Sequence, residues 1–124
     1  MLTSILIYTY IIMIDSNIVN ADCEQRIIMR INIDKLQWIT SFLLLKLKEE
    51  KGNEIELQND FYWDISEKEL YNPYEKPQNI SLGQLSDDLH EVNRLLKSDD
   101  AITYDLKRIS NIIKALSIEN PTAF

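Results

Sequence analysis

Ser81 to Lys97 reads SLGQLSDDLHEVNRLLK, and the fold turns on where the helix in this stretch begins. Ser81-Leu82-Gly83-Gln84 has the form of a capping box, in which a serine side chain and a glutamine three residues later satisfy each other's free backbone N–H groups. Leu85, Leu89, Val92 and Leu96 then recur at three- and four-residue steps and trace one helical face. Together these signals predict a helix over 82–97.

Downstream, Ser98-Asp99-Asp100 breaks the run and supplies a cap for a second helix, 100–118, whose face carries Ile102, Leu106, Ile109, Ile113 and Leu116 before Asn120-Pro121 ends it. So short a break forces the two helices into an antiparallel hairpin. Upstream, Leu36, Ile39, Leu43 and Leu47 predict a helix over 34–51, with Asp34 as N-cap, lysines in the last turns and Gly52 as the stop. Between these helices, 53–80 lacks a sustained period. Ile55 and Leu57 alternate with acids, Ser66-Glu67-Lys68-Glu69 offers a single capped turn, and Pro73 and Pro77 interrupt the chain beyond it. The expected architecture is therefore mainly α. It is a small three-helix bundle with helices at about 34–51, 82–97 and 100–118, carrying an ordered, mostly irregular aromatic and acidic excursion at 53–80. Phe61 and Trp63 are expected to anchor that excursion to the helices.

Composition limits the functional classes. Of 124 residues, 45% are hydrophobic and 27% charged, with two glycines and three prolines, which suits one small helical domain over 29–124. The formal net charge is −7. It repels phosphate backbones and anionic headgroups, so no nucleic acid and no membrane surface is expected as a partner of that domain, and a basic protein is favoured. The lone Cys23 rules out an intrachain disulfide framework and fits a reducing, cytoplasmic setting. The first 28 residues read differently. Leu2 to Ile14 is an uncharged apolar run too short for a membrane-spanning helix. Three readings stand for this leader: a start of translation at Met29, a signal-like segment over 1–21 that would export the protein, or a genuine element of the fold.

The acidity is concentrated between Asn53 and Glu91, where ten acidic residues face two basic ones and Phe61, Tyr62, Trp63, Tyr71 and Tyr74 lie among them. Aromatics beside carboxylates combine area to bury with a field that attracts cations. The residues assigned to partner binding are Asp60, Asp64, Glu67, Tyr71, Tyr74, Glu75, Asp87, Asp88 and Glu91. A catalytic alternative places Asp87, His90 and Glu91 on one face of a helix as a hydrolytic or metal-dependent site. The remaining ligands such a metal would need are not apparent, and no cofactor fingerprint is present.

Phe61-Tyr62-Trp63-Asp64-Ile65, followed by Leu82-Gly83-Gln84-Leu85-Ser86-Asp87-Asp88, resembles a pattern in small uncharacterised bacterial proteins. The resemblance covers roughly Met29 to Leu116 and implies a compact bacterial domain without a catalytic motif. In size and charge the chain is also similar to the immunity proteins that neutralise basic toxin nucleases, an analogy that matches no particular residue. The function expected is a non-catalytic intracellular protein-binding module, an immunity or antitoxin-like inhibitor whose acidic and aromatic face binds a basic partner. A structural subunit or homodimer is the third reading.

Overall fold

The computed structural model describes residues 28–122, which fall into two compact units divided between Asn53 and Glu54. The three readings of the leader and of Cys23 lie outside the described residues.

In the first unit, α1 runs from Ile33 to Lys51. Its cap is Asn32, whose side-chain oxygen accepts from the Lys35 amide at 2.9 Å, so Asp34 lies inside the first turn, where its charge favours the helix dipole. Gly52 ends the helix at φ 90°, a conformation that side chains disfavour, and its N–H donates to the Lys48 carbonyl at 2.8 Å. Trp38 and Phe42 stack along α1 at 5.5 Å, with the Lys46 ammonium 5.4 Å from the Phe42 ring.

The second unit overturns the three-helix bundle. It combines strand β1 (Phe61–Ile65), the single turn α2 (Glu67–Leu70), strand β2 (Ile80–Gln84), α3 (Leu85–Asn93) with a 3₁₀ turn at Arg94–Leu96, and α4 (Tyr104–Glu119). The class is mixed α/β. β1 and β2 form a two-stranded antiparallel sheet in which Phe61 faces Gln84, Tyr62 faces Gly83 and Ile65 faces Ile80. Ile80 to Gln84, which opens like a helix cap when considered locally, is extended because it has a partner strand.

The cap that α3 needs comes from far along the chain. The Asp60 carboxylate accepts the Ser86 amide at 2.8 Å, 26 residues away, and the Asp60 carbonyl accepts the Leu85 amide at 2.7 Å. A carboxylate at the first amides satisfies orphan donors and complements the dipole. The same carboxylate accepts from the Gln84 amide group at 2.7 Å and the Ser86 hydroxyl at 3.0 Å. These bonds, that from Gln84 first, hold its pKa below the ordinary value.

The start of α4 is displaced for a related reason. Asp105, 5% exposed, accepts the Ile102 amide at 2.9 Å, both terminal nitrogens of Arg94 at 2.9 and 2.7 Å, and Arg108 at 2.8 Å. Arg94 also donates to the carbonyls of Glu91 and Asp100. This network ties residues 98–103 into the corner and delays the helix to Tyr104. Hydrogen bonds from Arg94, then the Ile102 amide, hold the Asp105 carboxyl far below the usual carboxylate range. Packed against each other, α3 and α4 enclose a small core whose buried apolar residues are Leu85 and Val92.

Residues 71–79 form a closed loop. Glu69 accepts the amides of Gln78 and Asn79 at 2.6 and 3.0 Å and the Asn79 side chain at 3.0 Å, bonds that lower its pKa. The Ser66 side chain makes no capping bond, so the predicted reciprocal box is replaced by this brace.

Candidate functional site

Alternation along β1 decides which side chains face the helices. Tyr62 and Asp64 point toward α4, while Phe61 and Trp63 project from the other face and stand 59% and 75% exposed. The expected anchors are thus solvent-facing, and Tyr62 holds the sheet instead. Its hydroxyl donates to Asp88 at 2.7 Å and accepts from the Asn111 side chain at 2.9 Å. Burial, reinforced by the Asp88 hydrogen bond, raises the Tyr62 pKa far above that of an ordinary phenol. Opposite it, Gly83 is required: a Cβ there would overlap the Tyr62 ring.

Three ties set β1 and the residues just before it beside α4, running in the opposite direction. Lys107 reaches Asp64 at 3.0 Å, Asn111 reaches Tyr62, and Glu119 accepts the amides of Gln58 at 2.6 Å and Asn59 at 3.4 Å. Four residues of helix advance about 6 Å. Two residues of strand advance about 6.6 Å, so the ties stay in step along the whole contact. The bond to Asp64 raises the Lys107 pKa.

Above these ties lies a groove of about 710 Å³. Its walls are Asn59 and all of β1 on one side and Leu106, Lys107, Ser110, Asn111, Lys114, Ala115, Ile118 and Glu119 of α4 on the other, with Glu67, Leu70 and Tyr71 at one end and Leu85 of α3 also in the lining. Six of its lining residues, Phe61, Trp63, Leu70, Tyr71, Leu106 and Ile118, are large apolar or aromatic side chains that remain exposed. Clustered exposed apolar area of this kind marks an interaction site.

The residues assigned to partner binding are divided by the structure. Asp60 caps α3, Asp64 pairs with Lys107, and Asp88 holds Tyr62, so these three carboxylates are engaged within the fold. Glu67 and Tyr71 line the groove. Tyr71 and Tyr74 are 89% and 92% exposed on the closed loop, where the Tyr74 amide donates to the Asn72 side chain at 3.0 Å. Glu75, Asp87 and Glu91 are exposed, the last two on α3 with His90. None of Asp87, His90 and Glu91 lines the groove, and among the described residues no cluster of three or more His, Cys, Asp or Glu could hold a metal ion. The α4 wall was invisible to sequence reading, because Leu106 belongs to the same apolar period as the core positions. Gly83 opposite Tyr62 was the available clue to the sheet. No family model, curated protein or solved structure matches the chain.

Proposed function

We propose that the chain is a non-catalytic protein-binding module, and that it acts as an immunity or antitoxin-like inhibitor by occupying the basic site of a partner protein. The observation that carries this reading is the groove rimmed by six exposed apolar and aromatic side chains. Beside it, Tyr71, Tyr74, Glu67 and Glu75 offer aromatic anchors and negative charge. Tyrosines desolvated at the centre of an interface slow dissociation, and acidic neighbours speed encounter with a cationic surface. A cytoplasmic setting belongs to the same reading, and among the described residues no helix is long and apolar enough to cross a membrane.

The test is recovery of a basic protein with the chain from its native host, followed by affinity measurements across a salt series. Affinity is expected to fall steeply with salt, and Tyr71→Ala with Tyr74→Ala to weaken binding by about 30-fold, the scale of one hot-spot residue. A complex indifferent to both salt and these substitutions would refute the proposal.

A further inference from the structure

The hydrogen bonds that flank the sheet establish which backbone groups of β1 remain available. Leu85 donates to the Asp60 carbonyl at 2.7 Å and Ser66 donates to the Asn79 carbonyl at 2.9 Å. In an antiparallel ladder bonded and non-bonded pairs alternate, so with the observed register Tyr62 and Asp64 bond to Gly83 and Ser81. Phe61, Trp63 and Ile65 then direct their N–H and C=O groups away from β2. Among the described residues no hydrogen bond reaches these groups. The groove lies on that side: its lining includes every residue of β1 and no residue of β2. A short strand edge open along an apolar trough is a template for strand addition.

We infer that the groove binds an extended segment of a partner protein, which adds to β1 as a third, antiparallel strand and carries a basic residue at its start and an acidic one at its end. This deepens the protein-binding reading and rests on it. Charge complementarity chooses the occupant. Glu67 stands just beyond Ile65 with no hydrogen bond to its carboxylate among the described residues, and the nearby Lys107 ammonium is taken by Asp64. Lys114 comes after Asn111, which is level with Tyr62, and precedes Glu119, which is level with Gln58 and Asn59, so it lies toward the start of β1. Glu119 shares that end, but its carboxylate is taken by the Gln58 and Asn59 amides, whereas the Lys114 ammonium has no ion-pair partner among the described residues. The groove thus offers a carboxylate to a ligand at one end and an ammonium at the other. An antiparallel strand begins beside Glu67 and finishes beside Lys114, and antiparallel pairing is the slightly more stable arrangement. Its side chains alternate between two apolar surroundings, Leu106 and Ala115 on the helix side and Phe61, Trp63 and Ile65 on the other.

The experiment uses the full chain and the synthetic peptide acetyl-Lys-Val-Tyr-Val-Thr-Val-Asp-amide. Amide exchange is monitored by NMR. On peptide addition the amides of Phe61, Trp63 and Ile65 are expected to gain roughly tenfold or more protection, while Tyr62 and Asp64 are already protected by β2. Two further peptides carry N-methyl groups on one or the other alternate set of residues. One set should lose at least about tenfold in affinity, because several strand hydrogen bonds go, and the other should change little. Exchanging the terminal Lys and Asp should weaken binding, and the paired variant Glu67→Lys, Lys114→Glu should restore it.

Equal sensitivity to both N-methyl sets, or no protection at millimolar peptide, would overturn strand addition. Concentration-dependent protection of the same amides without peptide would overturn it in favour of a second copy of the chain. If the peptide fails while a basic partner still binds in a salt-sensitive way through Tyr71 and Tyr74, strand addition falls and the protein-binding reading stands. If that partner is also indifferent to salt and to the tyrosines, both fall.

Discussion

Gly83→Ala is the sharpest probe of the sheet, because a generic rule and this structure predict opposite signs. Replacing glycine by alanine inside a strand ordinarily stabilises by about 0.5–1 kcal/mol, through lower chain entropy in the unfolded state. Here the new Cβ meets the Tyr62 ring and its hydroxyl closer than any real contact of that kind. Tyr62 must move, and it then gives up the 2.7 Å bond to Asp88 and the 2.9 Å bond from Asn111. The first is a bond to a carboxylate and the second a neutral one, and with water able to reach part of the site their combined loss is about 2 kcal/mol. Set against the alanine gain, the net destabilisation is about 1–1.5 kcal/mol. Urea unfolding monitored by far-ultraviolet circular dichroism reads this as a lower midpoint at unchanged slope. The decisive control is the same substitution in a Tyr62→Ala background. With the ring gone, Gly83→Ala should turn stabilising by about 0.5 kcal/mol, giving a coupling near 2 kcal/mol. If Gly83→Ala is neutral or stabilising in the wild-type chain, or if its cost survives the removal of Tyr62, the contact between them is not what holds the sheet.

The remaining predictions concern titration and capping. In an alkaline titration read by tyrosinate absorbance, a component ionising well above the ordinary phenol range is expected, and Tyr62→Phe should remove it. Because its folded pKa is raised, the stability it contributes is present below the ordinary value of about 10 and is lost as pH rises from there. Asp105 has the opposite sign: its carboxyl is depressed from 3.8, so its contribution is full above about pH 4 and is lost as pH falls through the lower folded value. Asp105→Asn should lower the urea midpoint strongly at neutral pH, leaving Arg94 and Arg108 facing each other, and should flatten the acid limb of the stability profile. Asp60→Ala should speed exchange of the Ser86 amide by about tenfold, the scale of one lost cap, with little effect at the C-terminal end of α4. An unchanged Ser86 rate would show that Asp60 does not cap α3.

Sequence pattern alone suffices wherever the cause is local. The apolar period and the Gly52 stop define α1 to within a residue at each end, and Leu85, Leu89 and Val92 correctly mark a helix. Glu67 to Leu70 forms the single turn that its composition implies. The concentration of charge between Asn53 and Glu91 can also be read directly, since charge needs no fold to be counted. Contacts between residues distant in the chain set the rest. Ser81 to Gln84 satisfies the local pattern of a helix cap, yet pairing with Phe61–Ile65 makes it a strand, and Asp60 supplies the cap from 26 residues away. That pairing also reverses the roles of the aromatics: once β1 is a strand, alternation turns Tyr62 inward and leaves Phe61 and Trp63 outside. Several of the acids that looked alike in sequence divide in the same way, Asp60, Asp64 and Asp88 being consumed by internal bonds while Glu67 and Glu75 remain at the surface. The groove exists only because α4 runs beside β1 in step with it, a relation between segments more than forty residues apart that no local periodicity encodes.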